Sequence, residues 1–141
     1  MPTFQFYTVE GIKMPFKDKK KYSTWLITVA QSEQKKIDYI NYIFCSDEYL
    51  KDINIKYLNH DYYTDIITFP YKEGDFIQSD IYISIDRVAD NAREYDVSLD
   101  KELQRVMVHG LLHLIGYNDV SDDEVAVMRE KEDQYIVAFP G

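Results

Sequence analysis

Residues 98–119, SLDKELQRVMVHGLLHLIGYND, predict a long helix that ends in a sharp turn. Ser98 is a residue type that caps helix N-termini, and Gly116 is a typical stop signal at a helix C-terminus. The apolar residues recur at helical spacing, and Val108 and Leu112 lie outside that stripe, so the helix is apolar nearly all round. We therefore expect this helix to be deeply packed, with the rest of the fold built around it.

The segments around this helix alternate between strand and helix patterns. Runs of β-branched and aromatic residues predict strands over residues 3–8, 37–45, 64–70 and 80–85. Helical spacing and capping residues predict further helices over residues 17–35, 46–57, 87–95 and 121–136. Asp86 is the expected N-cap of the third of these helices. About four strands and five helices indicate one α/β or α+β domain over residues 1–141, a small mixed sheet covered by helices.

The charge of the chain is unevenly distributed. The 141 residues carry a formal net charge of -9, which disfavours binding to nucleic acid if the charge is spread evenly. Residues 1–56 hold 9 Lys and 7 Asp or Glu, a net +2, whereas residues 57–141 hold 7 Lys or Arg and 18 Asp or Glu, a net -11. The basic residues of the first part cluster at Lys17, Lys19, Lys20 and Lys21. The lysines before residue 57 are therefore the surface expected to face a polyanionic partner.

A single cysteine, Cys45, rules out an intrachain disulfide and favours an intracellular location. It follows an apolar run and is expected to be buried rather than reactive. The first ten residues lack the basic and apolar regions of a signal peptide, and no apolar run approaches the length of a membrane span. We expect a cytoplasmic protein without a membrane partner.

Two histidines in the long helix form a candidate metal site. His109 and His113 are four residues apart, so a helix presents both on one face, where they can bind one ion. Asp119 follows three residues after Gly116, close enough for the chain to turn back and supply a third ligand. Three protein ligands leave one position of a tetrahedral zinc ion open for water, as in catalytic sites. The alternatives are two buried histidines satisfied by hydrogen bonds, and His60 as a substitute ligand.

The same segment excludes some metalloenzymes. Helical zinc peptidases carry a glutamate after the first histidine as general base, and this chain has Gly110 there. Non-haem iron oxygenases place two histidines and a carboxylate on sheet strands, which does not suit ligands on a helix. We expect the helix to pack on the sheet and to face a cleft built by strands 64–70 and 80–85.

Residues 109–119 resemble the HGxLHLxGYDH signature of the YbeY family of metal-dependent endoribonucleases. Residues 53–70 are similar to that family's segment ending in TDVLSFP, and residues 79–110 to its stretch ending in VHG. The resemblance covers roughly residues 46–136 and implies a metal-dependent, single-strand-specific endoribonuclease with one zinc ion per chain. It implies a role in maturing the 3′ end of small-subunit ribosomal RNA and in ribosome quality control. Ribosomal RNA and the ribosome or a ribosomal protein are then the expected partners, with no DNA.

Three positions depart from the family pattern. Asp119 aligns with the family's third histidine, and Asn118 with the aspartate before it. A carboxylate ligand lowers the net charge at the ion and makes the site harder, so manganese or iron fits better than in the three-histidine form. Leu58 aligns with a family arginine that is thought to act on RNA. Lys56 or His60 is a candidate to replace that arginine in catalysis, the alternative being that both are exposed loop residues.

The resemblance also suggests supporting residues. Asp65 and Asp80 flank strands at family motif positions and are candidates to orient the metal-bound histidines, the alternative being ordinary turn or strand-end carboxylates. The lysine cluster is the expected RNA-facing surface, formed by Lys17, Lys19, Lys20 and Lys21. Two other functions remain open, namely another zinc-dependent hydrolase and a ribosome-associated assembly factor with a structural metal.

Overall fold

Strands and helices alternate along the chain in the computed structural model, which describes residues 2–9, 11–71 and 76–140. The described elements, in chain order, are β1 (Thr3–Thr8), α1 (Lys19–Ser32), β2 (Ile37–Cys45), α2 (Asp47–Leu58), β3 (Ile66–Tyr71), β4 (Ile77–Ser84), α3 (Ile85–Glu94), α4 (Leu99–Ile115) and α5 (Asp122–Val137). The predicted elements are all present. The largest differences are in α1, which spans Lys19–Ser32 rather than residues 17–35, and in β4, which begins at Ile77 rather than at residue 80.

The four strands form one mixed sheet in the order β1-β2-β4-β3. β1, β2 and β4 run parallel to one another, and β3 pairs antiparallel with β4. β1 and β3 therefore form the two edges of the sheet. The predicted fold class, a small mixed four-stranded sheet with five helices, is confirmed.

The two faces of the sheet carry cores of different size. The larger core joins alternate residues of the strands, such as Ile40 and Ile81, to apolar residues of α1, α4 and α5. The smaller core, on the other face, consists of Cys45, Leu50 of α2 and Ile67 of β3. Because successive residues of a strand point to opposite faces, β2, β3 and β4 contribute to both cores, whereas the buried residues of the edge strand β1 belong to the larger core.

The long helix α4 packs directly on the sheet, as the sequence predicts. Its N-cap is Ser98, whose side chain accepts a hydrogen bond from the Lys101 backbone N–H, and its C-cap is Gly116 with a φ of 127°. At Gly110 a Cβ atom would lie only 2.8 Å from Cδ1 of Ile66 on β3. Glycine at this position allows the helix to approach the sheet edge closely.

The predicted N-cap of α3 is wrong. Asp86 is not the N-cap of α3: the Ser84 hydroxyl accepts from the Arg87 backbone N–H, and Asp86 accepts instead from the backbone N–H of Asp47. Ser84 is the cap because α3 begins two residues earlier than predicted.

Cys45 is fully buried, as expected, and burial, with the nearby Asp86 and Asp47 carboxylates, raises the pKa of its thiol to about 12. In the described part of the chain, the helices are too short or too polar to cross a bilayer.

Candidate metal centre

The proposed ligands are brought to one cavity by the end of α4 and the turn that follows it. His109 and His113 lie on the last two turns of α4, and Asp119 lies beyond the Gly116 turn. A cavity of about 220 Å³ is lined by Ile66, Thr68, His109, Gly110, His113 and Asp119. The predicted cleft is thus formed by α4 and β3. β4 does not line it, because Ile81 packs beneath Gly110 instead.

The His109 ring faces a carboxylate on each side and is hydrogen-bonded to one of them. Its Nδ1 lies 2.7 Å from Oε2 of Glu132 on α5, and its Nε2 lies 3.5 Å from Oδ2 of Asp119. Two donors that bind a tetrahedral zinc ion at about 2.0–2.2 Å are separated by about 3.3–3.5 Å. The His109–Asp119 separation therefore matches that of two ligands of one ion.

The protonation of His109 is linked to Glu132. The hydrogen bond to the Glu132 carboxylate raises the pKa of His109 above its ordinary value, against the opposing effect of burial. An imidazole binds a metal only when one nitrogen is free of its proton. With Nδ1–H donated to Glu132, Nε2 is the nitrogen left to face Asp119.

The second predicted histidine ligand, His113, lies in the last turn of α4. Its side chain is exposed at the same cavity, and no group of three or more His, Cys, Asp or Glu side chains in the described residues converges closely enough to hold an ion. An exposed imidazole turns between staggered rotamers at little cost. The nitrogen and carboxylate donors that line this cavity are of the types that suit zinc or a harder divalent ion.

The sequence model of the YbeY family, described as Endoribonuclease YbeY, matches residues 7–139. The chain belongs to the YbeY family. It is 50% identical over 122 residues to the Endoribonuclease YbeY of Flavobacterium johnsoniae, covering 86% of this chain and 88% of that protein. It is 46% identical over 128 residues to that of Bacteroides thetaiotaomicron, covering 91% and 93%. The solution structure of TM1509 from Thermotoga maritima matches with a TM-score of 0.69 and 30% identity, over 94% of this chain and 86% of that one.

The YbeY match extends the likeness seen in the sequence. The resemblance read from the motifs covers roughly residues 46–136, whereas the family match begins at residue 7 and so includes the end of β1 and all of α1 and β2. The N-terminal part is therefore part of the family fold rather than an addition to it.

Glu132 contacts His109 and is not among the residues that the sequence predicts for this site. It is 5% exposed, and its other oxygen accepts a hydrogen bond of 2.9 Å from Nη1 of Arg105. It lies on the buried stripe of α5 between Met128 and Tyr135. A glutamate at a core position of an amphipathic helix is the signal that points to a buried polar partner.

Asp65 lies beside this pair, in the wall of an adjoining cavity of about 230 Å³ that also contacts His109, Asp119 and Glu132. Burial raises the pKa of Asp65, and the nearby His109 opposes that effect. Asp65 therefore lies near His109, one of the histidines that it was predicted to orient. The buried Glu102 lines the same cavity, and burial raises its pKa as well.

Asp80, the other candidate for this role, is directed away from the histidines. Its carboxylate accepts hydrogen bonds from Nδ2 of Asn41 at 3.0 Å and from the Tyr71 hydroxyl at 2.7 Å. It alternates along β4 with Ile81, which packs under α4, so Asp80 lies on the opposite face of the sheet. The structure therefore does not bring Asp80 to the metal centre.

Lys56 and His60 are also outside the two cavities that contain His109. Lys56 lies in the last turn of α2, 5.4 Å from the centre of the Tyr57 ring. The exposed His60 ring stacks on Tyr62, whose hydroxyl lies 3.0 Å from its Nδ1. The structure does not bring Lys56 or His60 to the histidines of α4, and their catalytic role stays a prediction.

The lysine cluster lies at the far edge of the sheet from the metal centre. Lys19 and Lys20, in the first turn of α1, line a shallow surface depression beside β1. Lys17 precedes them, and Lys21 lies 5.8 Å from the Phe139 ring. Because β1 and β3 are opposite edges of the sheet, an RNA molecule that contacts these lysines reaches the metal centre only if it crosses the protein surface between the two edges.

Proposed function

We propose that this chain is a metal-dependent endoribonuclease that hydrolyses phosphodiester bonds in single-stranded ribosomal RNA. The observation that carries the proposal is the His109–Asp119 pair, held at ligand spacing with Glu132 behind the imidazole. The family membership supports the reaction, since its curated relatives are named endoribonucleases.

The protein's own residues have separable roles in this reaction. His109, His113 and Asp119 hold the ion, and Glu132 fixes the ring of His109 so that Nε2 faces the ion. The ion, when bound, supplies Lewis-acid polarisation of a phosphoryl oxygen. Thr68 and Ile66 of β3 form the opposite wall of the cavity, where the RNA backbone enters.

Zinc is the proposed ion, with manganese or iron as alternatives because Asp119 replaces a neutral imidazole. The open cavity beside His113 and Asp119 supports a catalytic role over a structural one, since structural zinc sites are closed by four protein ligands. We place the activity in maturation of the small-subunit rRNA 3′ end and ribosome quality control, in the cytoplasm, with a ribosomal protein as partner.

The test is metal content and RNA cleavage measured on the same preparations. Wild-type protein should hold one ion per chain and cut single-stranded RNA faster than duplex RNA. His113→Ala and Asp119→Ala should lose both the ion and the cleavage. Asp123→Ala, which changes an exposed aspartate of α5, is the matched control and should retain both. A wild-type protein without stoichiometric metal, or cleavage that persists in His113→Ala, would overturn the proposal.

A further inference from the structure

Four aromatic side chains form an apolar cavity on the face of the sheet that α2 covers. The cavity has a volume of about 220 Å³ and is lined by Ile53, Tyr57, Phe69, Tyr71 and Tyr82. Tyr57 is 62% exposed and Tyr71 is 44% exposed, so the cavity opens to solvent through aromatic rings. The metal centre does not use these residues.

The rings are held in place by packing and by a hydrogen bond. Phe69 contacts Tyr57 and Tyr82 edge to face, with ring centroids 5.9 and 5.8 Å apart. Tyr71 donates its hydroxyl to Asp80, whose carboxylate also accepts from Asn41. The cavity is therefore preformed, which reduces the entropy cost of binding a ligand.

The chemistry of the cavity suits one planar aromatic ligand. Its lining consists of four aromatic rings and the Ile53 side chain, with the hydroxyls of three tyrosines as polar groups, and its volume is below the roughly 300–1,000 Å³ of sites for drug-sized ligands. Lys56 lies 5.4 Å from the centre of the Tyr57 ring and places a positive charge at the rim. Aromatic rings next to a cation are the combination that binds unpaired bases together with their phosphates.

The location connects the cavity to the metal centre through one strand. Thr68 lines the metal cavity, and Phe69, the next residue of β3, lines the aromatic cavity on the opposite face. β3 is an edge strand, so a flexible polymer can pass around it from one face to the other. The two cavities are therefore separated by the thickness of this one edge strand.

We propose that this aromatic cavity stacks an unpaired base of the RNA strand whose backbone lies at the metal centre. The inference rests on the proposed nuclease function and identifies how the chain selects single-stranded substrate. A base within a duplex is stacked and paired, and so cannot enter. The net negative charge of the chain disfavours RNA binding by long-range electrostatics. Stacking does not depend on net charge, so it contributes affinity that the acidic surface cannot supply.

Binding of a short single-stranded RNA, measured by fluorescence anisotropy in EDTA, tests the stacking separately from cleavage. Tyr57→Ala should weaken binding about 5- to 150-fold, since stacking contributes about 1–3 kcal/mol per base. Tyr57→Phe keeps the ring and should bind within twofold of wild type. Tyr71→Ala is a second variant at an exposed position, and Tyr63→Ala, an exposed tyrosine outside the cavity, is the matched control.

An RNA with abasic sites separates stacking from charge. The difference between wild type and Tyr57→Ala should disappear on abasic RNA, whereas Lys56→Ala should still weaken its binding. Equal binding of base-containing RNA by wild type and Tyr57→Ala overturns the inference, as does a wild type that binds no RNA. A Tyr57→Ala variant that changes only self-association assigns the cavity to a second copy and also overturns it. Base-dependent binding without metal-dependent cleavage would retain the inference and reject the nuclease function.

Discussion

The carboxylate of Glu132 lies 2.7 Å from Nδ1 of His109, across the interface between α5 and α4. A hydrogen bond to one imidazole nitrogen sets the tautomer and the direction of the other, so it controls the ligand without touching the ion. Glu132 is itself held by Arg105. The orientation of the metal ligand therefore depends on how the last helix packs.

Glu132→Gln should weaken metal binding about 10- to 100-fold, the usual effect of losing a partner of a metal-bound histidine. Gln keeps the volume of the side chain but removes the charge that favours the Nδ1–H tautomer. Titration calorimetry with Zn²⁺ measures the change. Asp133→Asn is the control, because Asp133 pairs with Arg105 at 2.6 Å without contacting His109. Equal affinities in the two variants would contradict this role for Glu132.

Asp119→His should increase the preference for zinc over manganese at least tenfold. Replacing a hard carboxylate by an imidazole makes the ligand set softer, which favours zinc. Dialysis against equimolar Zn²⁺ and Mn²⁺, followed by metal analysis, gives the ratio for each protein. Asp119→Asn keeps an oxygen donor without the charge and should not gain the zinc preference. A ratio that is the same in Asp119→His and wild type would show that residue 119 is not a ligand.

The two glycines of the α4 motif should respond differently to alanine. Gly116 has a φ of 127°, a conformation that costs about 1–3 kcal/mol in other residues, so Gly116→Ala should lower the free energy of unfolding by that amount. In Gly110→Ala, the new Cβ is too close only to the flexible end of Ile66, since Ile81 lies at an ordinary contact distance of 3.4 Å, and a gain in helix propensity of about 1 kcal/mol offsets the contact. Urea denaturation should show a change within about 1 kcal/mol for Gly110→Ala. Equal losses for the two variants would contradict this distinction.

The features that the sequence predicts well are local ones. The cap at Ser98, the stop at Gly116 and the capping box at Ser121 depend on residues three or four apart, and all three are present. The pairing of Glu132 with His109 joins residues 23 apart on different helices. No short-range pattern identifies that partner, because it depends on the angle at which α5 crosses α4.

The face that a strand residue occupies is similarly hard to predict. Asp65 precedes β3 and reaches the metal side, whereas Asp80 lies within β4 and points to the other side. A shift of one residue in strand position reverses the face, and the predicted start of β4 was three residues late. The distance of the Lys19 region from the metal centre follows from strand order, which long-range pairing decides.

Lowering the pH should weaken the contacts that hold the loop after α4 against α1 and α5, because these contacts depend on the charge of Glu33. This side chain is 9% exposed and accepts hydrogen bonds from the hydroxyls of Tyr117 and Tyr135 and from Lys131. Burial alone raises the pKa of Glu33, but these donors outweigh burial and hold the pKa below its ordinary value of 4.5. The carboxylate therefore stabilises the fold above pH 4.5, and this contribution is lost as the pH falls through the pKa of the folded state.

Glu33→Gln measures that contribution when both proteins are unfolded with urea in EDTA across pH 3 to 7. At pH 7 the variant should be about 1–3 kcal/mol less stable, since it replaces charge-assisted hydrogen bonds by neutral ones. The difference should shrink below pH 4.5, because protonated Glu33 and Gln are both neutral. Glu130→Gln, an exposed position on α5, should show little difference at any pH. A Glu33→Gln deficit that stays constant down to pH 3 would mean that packing, rather than the charge of Glu33, stabilises this junction of α1, α5 and the Tyr117 loop.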